Sequence, residues 1–428
     1  MDTEILRTLR NSLAPALGVT EPAAVALGAA EAYRAVGGEI KRITLKIDPA
    51  LYKMGHACMI PGTRRFGLEI AAALGAIAGQ PDLRLQVLQG VDADSLTQAV
   101  RLVEAGNIRL EVLDDHEGGI HIDAQVTTSR GNGVAVILDS HDNVVFVSSG
   151  EERVYDARRV DPERGEKQAQ GLEWREILSF VRRVDPESIQ FVLDMAGLNQ
   201  CLLEEGLAQD FGLGVGRAMS RLGEACAGRE ALEFRARRDV AAACDARLGG
   251  ASVPAMSLAG SGSHGITASL PILAVAADLG VSEVLVARSL ALSFLLTIHL
   301  KSLAGRLSAF CGCAATAAVG ASAGLALLLG GSNRQIGNAA EIVAADVTGI
   351  ICDGANFGCS LKTSTGAGSA VRAALLAMEN IAVPPQCGIV GAQLEETLLN
   401  IGRISVPGMR GTDKTILEIL QSRQVSEF

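Results

Sequence analysis

Three cysteines, Cys313, Cys352 and Cys359, lie in a stretch rich in glycine and alanine, each with glycine beside it or two positions away: Gly312-Cys313, Cys352-Asp353-Gly354 and Gly358-Cys359. Glycine takes positive φ at little cost and lets a bulky object approach the main chain. Asp353 and Asn356 are turn formers, so the local sequence describes a non-helical loop carrying two thiols between helical segments. Cys352 and Cys359 are seven apart, and Cys313 precedes Cys352 by 39 positions. No Cys-x-x-Cys pair and no suitably spaced histidine accompanies them, which argues against structural zinc. All-thiolate ligation of an iron–sulfur cluster requires no fixed short spacing. The plainer alternative is three small buried side chains in an alanine-rich core, where free cysteine is common.

A second constellation is Gly260-Ser261-Gly262-Ser263-His264-Gly265-Ile266-Thr267. Here a Gly/Ser-rich loop opens a helix whose free N–H groups and positive dipole end suit a carboxylate or phosphate. It lacks the Gly-Lys-Ser/Thr of a P-loop, and a simple interhelical turn is the bland reading. In Asp245-Ala246-Arg247-Leu248-Gly249-Gly250, an acid and a base two apart cannot share one helix face, so they belong to a loop or a helix end. Arg247 can grip a carboxylate with two N–H groups or form a surface ion pair. Lys362-Thr363-Ser364-Thr365 puts a cation and hydroxyls just after Cys359, and His56 and His264 are the histidines in loops with other polar candidates.

The elements that must hold these residues divide into two styles. Helical periodicity over residues 3–36 breaks near Pro15 and at Gly18-Val19-Thr20-Glu21-Pro22. There Thr20 reads as an N-cap, with Pro22 in the first turn of a second helix and a possible anion site at its start. Residues 39–47 alternate as a strand, and Asp48-Pro49-Ala50-Leu51-Tyr52-Lys53-Met54-Gly55-His56 reads as a polar turn. A helix is expected over residues 67–78. Strands are expected at 84–88, 108–113, 120–128, 133–138 and 143–147, with a helix at 94–105. The charged run 150–172 reads as a solvated linker or excursion. From Leu172 the pattern is helical almost to the end, in segments such as 173–182, 187–208, 213–226, 230–246, 265–278, 282–300, 313–330, 334–346 and 366–380. The expected fold is α+β, with a smaller α/β part over residues 1–160 and a larger all-α domain carrying the cysteines over 161–428.

Composition narrows the function classes. A net charge of −10 argues against nucleic-acid binding, which needs a basic face. Aromatics at 3% leave few base-stacking platforms. The apolar run 286–300 contains Arg288 and His299 and reads as a buried core helix rather than a membrane span. The charged start Met-Asp-Thr-Glu does not read as a signal peptide. Nine cysteines are odd in number and unevenly clustered, as expected for cytoplasmic thiols used for metal or catalysis.

Several segments together resemble the L-cysteine desulfidase family, which is related to the α-chain of iron–sulfur L-serine dehydratases. They are Leu17-Gly18-Val19-Thr20-Glu21-Pro22; Tyr52-Lys53 ahead of Ile60-Pro61-Gly62; Asp245-Ala246-Arg247-Leu248-Gly249-Gly250; residues 260–266; Leu307-Ser308-Ala309-Phe310-Cys311-Gly312-Cys313; and Ile351-Cys352-Asp353-Gly354-Ala355 through Cys359. The resemblance runs in order over nearly the whole chain. It implies a [4Fe–4S] cluster held by Cys313, Cys352 and Cys359, with an open iron position acting as a Lewis acid on the leaving group at Cβ of a small amino acid. Removal of the α-proton and loss of hydrosulfide or water give aminoacrylate, and then pyruvate and ammonia. Arg247, Thr20 and the loop of Ser261, Gly262, Ser263, His264 and Gly265 are then the expected substrate holders, and Lys53, His56 and Glu21 the expected catalytic groups. A homo-oligomer acting on a small molecule is expected, with neither nucleic acid nor membrane as partner.

One departure bears on the substrate. In the desulfidases the position before Thr20-Glu21-Pro22 is usually a cysteine, and here it is Val19. Nor does the chain end in cysteine, as serine dehydratases often do. Valine neither ligates iron nor carries a proton. Three readings stay open: Cys311, Cys58, His56 or Lys53 takes over in a desulfidase; the substrate is an L-serine-type hydroxy-amino acid; or the chain is a non-catalytic small-molecule-binding relative.

Overall fold

The computed structural model describes residues 2–113, 119–157, 172–223, 230–305, 307, 309–385 and 387–422. The N-terminal region contains α1 (Asp2–Asn11), β1 (Leu13–Leu17), α2 (Thr20–Val36), β2 (Ile40–Ile47), α3 (Pro49–Gly55), β3 (Met59–Ile60), β4 (Arg65–Phe66), α4 (Leu68–Ala78) and α5 (Ala93–Glu104). It continues through β5 (Ile108–Val112), β6 (His121–Thr128), β7 (Gly131–Leu138), β8 (Val144–Ser149) and β9 (Glu152–Asp156). Its main sheet has the order β5-β2-β6-β7-β8-β9, with β2 parallel to β5 and every other pair antiparallel. In β6, Ile122, Ala124, Val126 and Thr128 are buried and the residues between them less so, the period-2 signal of a sheet with one covered face. The cover is α2 and α4, whose alanines share a core with Ile43, Leu45, Ile47 and the β6 residues.

The C-terminal region is helical: α6 (Trp174–Arg183), α7 (Phe191–Ala208), α8 (Val215–Leu222), α9 (Glu230–Leu248), then β10 (Pro254–Leu258), α10 (Gly262–Leu279), α11 (Glu283–Ala304), α12 (Thr316–Leu328), α13 (Asn333–Val347), α14 (Cys359–Met378), α15 (Leu394–Arg403) and α16 (Arg410–Gln421). The α+β class and the division into a sheet-containing N-terminal region and a helical C-terminal region are as read from the sequence. The helix α11 is long and apolar enough to cross a membrane by length alone, yet most of it is buried inside this protein. Small residues along α12 let it pack closely: every residue from Thr316 to Leu328 is buried.

Several sequence readings change. Residues 13–17 are not helical; β1 pairs antiparallel with β10, Leu13 opposite Leu258 and Leu17 opposite Pro254. Pro15 explains the break, because proline cannot donate in a helix interior. Ile5 and Leu9 of α1 join the same core as α10, α11 and α12, so the first elements pack with the helical region. Residues 84–88 form no strand: Pro81–Gln86 is a 3-10 turn. The expected polar turn after β2 is helix α3, begun by Asp48, whose Oδ1 accepts from the Leu51 amide at 2.8 Å. Thr20 is not an N-cap; Val19 occupies that position without a side-chain bond, and Thr20 Oγ1 donates to Glu21 Oε2 at 3.1 Å. The charged run begins as edge strand β9; its later part, 158–171, lies outside the described residues, as does the expected boundary at 160. Helix α14 starts at Cys359 rather than 366, and within its first turn the Thr363 hydroxyl donates to the Cys359 carbonyl at 2.8 Å. The expected helix 213–226 is described only as α8, and residues 224–229 lie outside the described residues.

Candidate active site

The two cysteine loops are tied side by side by backbone. The Cys311 amide donates to the Ile350 carbonyl at 2.9 Å, and the Cys352 amide donates to the Ala309 carbonyl at 2.6 Å. Phe310 and Ile351 thus form an isolated antiparallel bridge, and Cys313 and Cys352 line one cleft. Gly354, at φ +99°, lies so close to α3 that a Cβ there would stand 2.3 Å from the Lys53 carbonyl oxygen. Glycine is required by both conformation and space. Cys359 Sγ donates to the Gly354 carbonyl at 3.6 Å and packs against a small core that includes Val19, Cys58 and Cys244.

The cleft, open to solvent on one side, is lined by Glu21, Met54 and His141 from the N-terminal region. From the helical region come Ser261, His264, Lys301, Cys313, Thr316 and Cys352 among others. Three helices begin at or beside these groups: α2 at Thr20, next to Glu21, α10 behind Ser261 and α12 at Thr316. Each helix start carries partial positive charge, so together they favour anions such as thiolates or a substrate carboxylate. Ser261 caps α10 by accepting from the His264 amide at 3.5 Å. The Ser261 hydroxyl lies 3.6 Å from Cys313 Sγ, and His264 Nδ1 lies 3.2 Å from the same sulfur.

Burial dominates the electrostatics. It pushes the Cys313 thiol up to about 12, with Cys352 adding to the shift. Burial and then Cys352 also push the Cys359 thiol up, and burial followed by Cys352 and Cys313 does the same to Cys311. Thiols so crowded ionise together only when a cation shares their charge. Among the described residues no three His, Cys, Asp or Glu side chains converge tightly enough to chelate a single ion. Three thiols close enough to raise one another's pKa are the kind of donor set that an all-thiolate iron–sulfur group uses. Burial, Lys301 and Arg247 hold His264 well below its usual range, so it is neutral near pH 7. Burial raises the Glu21 carboxyl, but adjacent His141 and the charge of Arg247 outweigh it and hold it at about 2.

Of the residues singled out from the sequence, Glu21, Ser261, His264, Cys313 and Cys352 meet at the cleft. Arg247 does not line it. It is buried behind the loop, donating from Nε to the Gly18 carbonyl at 3.1 Å and from Nη1 to Ser263 Oγ at 2.8 Å. It clamps the start of α2 to the start of α10, and Gly262 is needed for the contact, since a Cβ there would stand 2.4 Å from Arg247 Nε. Gly265 likewise packs on the Met256 carbonyl. Lys53 is wholly buried and bonded to Asp413 and to the Cys352 carbonyl. His56 stacks on Tyr52 with Nδ1 3.2 Å from the Lys53 carbonyl oxygen. Thr20 is buried beside Glu21. Two cleft residues escaped the sequence reading. The sequence places His141 in a polar turn, His141-Asp142-Asn143, and Lys301 just past the apolar run 286–300. A lysine closing so apolar a run was the available signal.

Fold and site together define a protein built around a thiol-lined, anion-attracting cleft between a sheet layer and a helical body. The serine dehydratase alpha chain family matches residues 148–418, and the chain belongs to that family. Relatives align over almost the full length. A UPF0597 protein of Clostridium botulinum (strain Langeland / NCTC 10281 / Type F) is 40% identical over 424 residues, covering 97% of this chain and 98% of its own. One from Desulfatibacillum aliphaticivorans is 40% identical over 426 residues, covering 97% of each. One from Clostridioides difficile (strain 630) is 36% identical over 424 residues, covering 97% of this chain and 98% of its own.

Proposed function

We propose that the chain is an iron–sulfur-dependent lyase that carries out β-elimination on a small α-amino acid. L-cysteine, giving pyruvate, ammonia and sulfide, is the first candidate substrate. The observation that carries the reading is the backbone bridge that sets Cys313 and Cys352 on one cleft with the capped start of α10. Cys313, Cys352 and Cys359 would hold a [4Fe–4S] cluster, which when bound supplies a Lewis acid for the leaving group at Cβ. The first turn of α10, with Ser261 and the nearby cation of Lys301, suits the substrate carboxylate. The ionised Glu21 suits its ammonium group. Arg247, Ser263, Gly262 and Gly265 act behind the loop, holding its shape. Lys53 braces the Cys352 carbonyl. Free thiols in such numbers persist in a reducing cytoplasm, where this reading puts the enzyme.

A second reading, dehydration of L-serine, is favoured by the family and by Val19, a buried apolar side chain packed among Cys58 and Cys244 where a thiol would otherwise stand. One experiment separates the two. Protein purified without oxygen is analysed for iron and acid-labile sulfide, then assayed side by side for sulfide from L-cysteine and pyruvate from L-serine. Iron-free protein sinks the proposal. Pyruvate from serine with no sulfide from cysteine selects the second reading.

A further inference from the structure

We infer that His141 is the catalytic base that removes the α-proton, with Glu21 as its carboxylate partner; the inference rests on the β-elimination proposed above. His141 follows β7 in the turn to β8, and it is where the six-stranded sheet reaches the cleft. The turn is anchored from outside by Arg84, which donates to the Asp142 carbonyl at 3.3 Å. His141 is buried, 5% exposed. Its Nε2 lies 3.4 Å from Glu21 Oε1, and neither ring nitrogen makes a directed hydrogen bond. A buried imidazole in that condition is costly, and one on a cleft wall has a bound molecule as its natural partner. Gly260, at φ +82°, runs so close to the ring that a Cβ there would stand 3.0 Å from Nδ1. The imidazole therefore abuts the loop that begins α10. An amino acid whose carboxylate meets that helix start brings its Cα toward the ring.

The other charged and titratable groups around the cleft are Glu21 on α2, His264 on α10, Lys301 on α11, and the thiols of Cys313 and Cys352. His264 is engaged with Cys313 at 3.2 Å, and Lys301 donates to the Ala259 carbonyl at 2.8 Å. The carboxylate of Glu21 offsets the charge the His141 ring gains with a proton, the usual pairing of a base with its orienting acid. In the step, the neutral imidazole takes the proton from Cα. The C–H electron pair becomes the Cα=Cβ bond, and the Cβ–S bond breaks with its pair leaving on sulfur as hydrosulfide. The remaining 2-aminoacrylate tautomerises to the imine, which water converts to pyruvate and ammonia. The imidazolium returns its proton to solvent through the open side of the cleft.

The test compares the parent protein with His141→Asn and His141→Ala, each prepared without oxygen and characterised for iron content and melting temperature. L-cysteine and L-serine serve as substrates, with Cα-deuterated forms in parallel. Expected are a fall in kcat on the order of 10²- to 10⁴-fold for His141→Asn with KM little changed, loss of the acid limb of the kcat/KM profile, and partial rescue of His141→Ala by added imidazole. A His141→Asn rate within a few fold of the parent overturns the assignment and leaves the elimination standing. A variant that loses iron and is not rescued by imidazole assigns the ring a structural role, which also overturns it. A parent protein that turns over neither amino acid overturns both the elimination and the base.

Discussion

Lys53, with no exposed side-chain surface, pairs with Asp413 at 2.5 Å across 360 positions of sequence, and the same ammonium donates to the Cys352 carbonyl at 3.4 Å. The helix α16 thereby braces the loop that carries a thiol. A buried charge stripped of its partner costs far more than the pair contributes. Asp413→Ala is expected to lower stability by about 3 kcal/mol, read by urea unfolding, and Lys53→Met in that background to restore part of the loss. An Asp413→Ala protein as stable as its parent contradicts the brace.

Cys313→Ser, Cys352→Ser and Cys359→Ser are each expected to reduce iron and acid-labile sulfide after anaerobic reconstitution, because a hydroxyl is a poor iron ligand beside thiolates. Cys201, exposed and not among the residues lining the cleft, is the control, and Cys201→Ser leaves both contents unchanged. Metal analysis and visible absorbance read the outcome. Full iron content in all three site variants would show that the cluster lies elsewhere.

Gly354→Ala meets two obstacles at once, a φ of +99° and a Cβ placed 2.3 Å from the Lys53 carbonyl oxygen. Backbone on backbone cannot give as a flexible side chain can. The substitution is expected to destabilise by more than about 1 kcal/mol and to lower cluster retention, whereas Gly411→Ala, with nothing within 4 Å of the added Cβ, has little effect. Paired thermal melts test the contrast.

Acid stability carries the mark of Glu21. Its carboxyl is held at about 2 in the folded protein against an ordinary 4.5. A depressed carboxylate contributes its full stabilisation above about 4.5, and loses it as the pH falls toward 2. The contribution at neutral pH is on the order of 3 kcal/mol. Glu21→Gln is expected to flatten the fall in unfolding free energy across that window, measured by denaturant titration at a series of pH values. An unchanged slope would mean that Glu21 is not held ionised by its neighbours.

Much of the scaffold was legible because it rests on local rules. Alternation in residues 121–128 gives a half-covered strand, and alanine-rich runs such as 316–328 give buried helices. The misreadings have the same origin. Residues 13–17 look like an interrupted helix until β10 supplies a partner, and residues 49–55 look like a turn until Asp48 is seen to cap them. The N-cap expected at Thr20 falls on Val19, and Thr20 is the first helical residue, with its hydroxyl turned to Glu21.

Read alone, the chain specifies its glycine-flanked thiols, the capped loop before α10 and a family resemblance, since each depends on residue type and near neighbours. Tertiary structure decided which of these meet. The bridge of Phe310 with Ile351, 41 positions apart, joins the two loops and sets Cys313 and Cys352 on one cleft. The packing of sheet on helices brings His141 to Glu21 and sends Arg247 and Lys53 behind the walls as braces. Spacing along a chain limits what a residue can do, and only long-range packing sets what it faces.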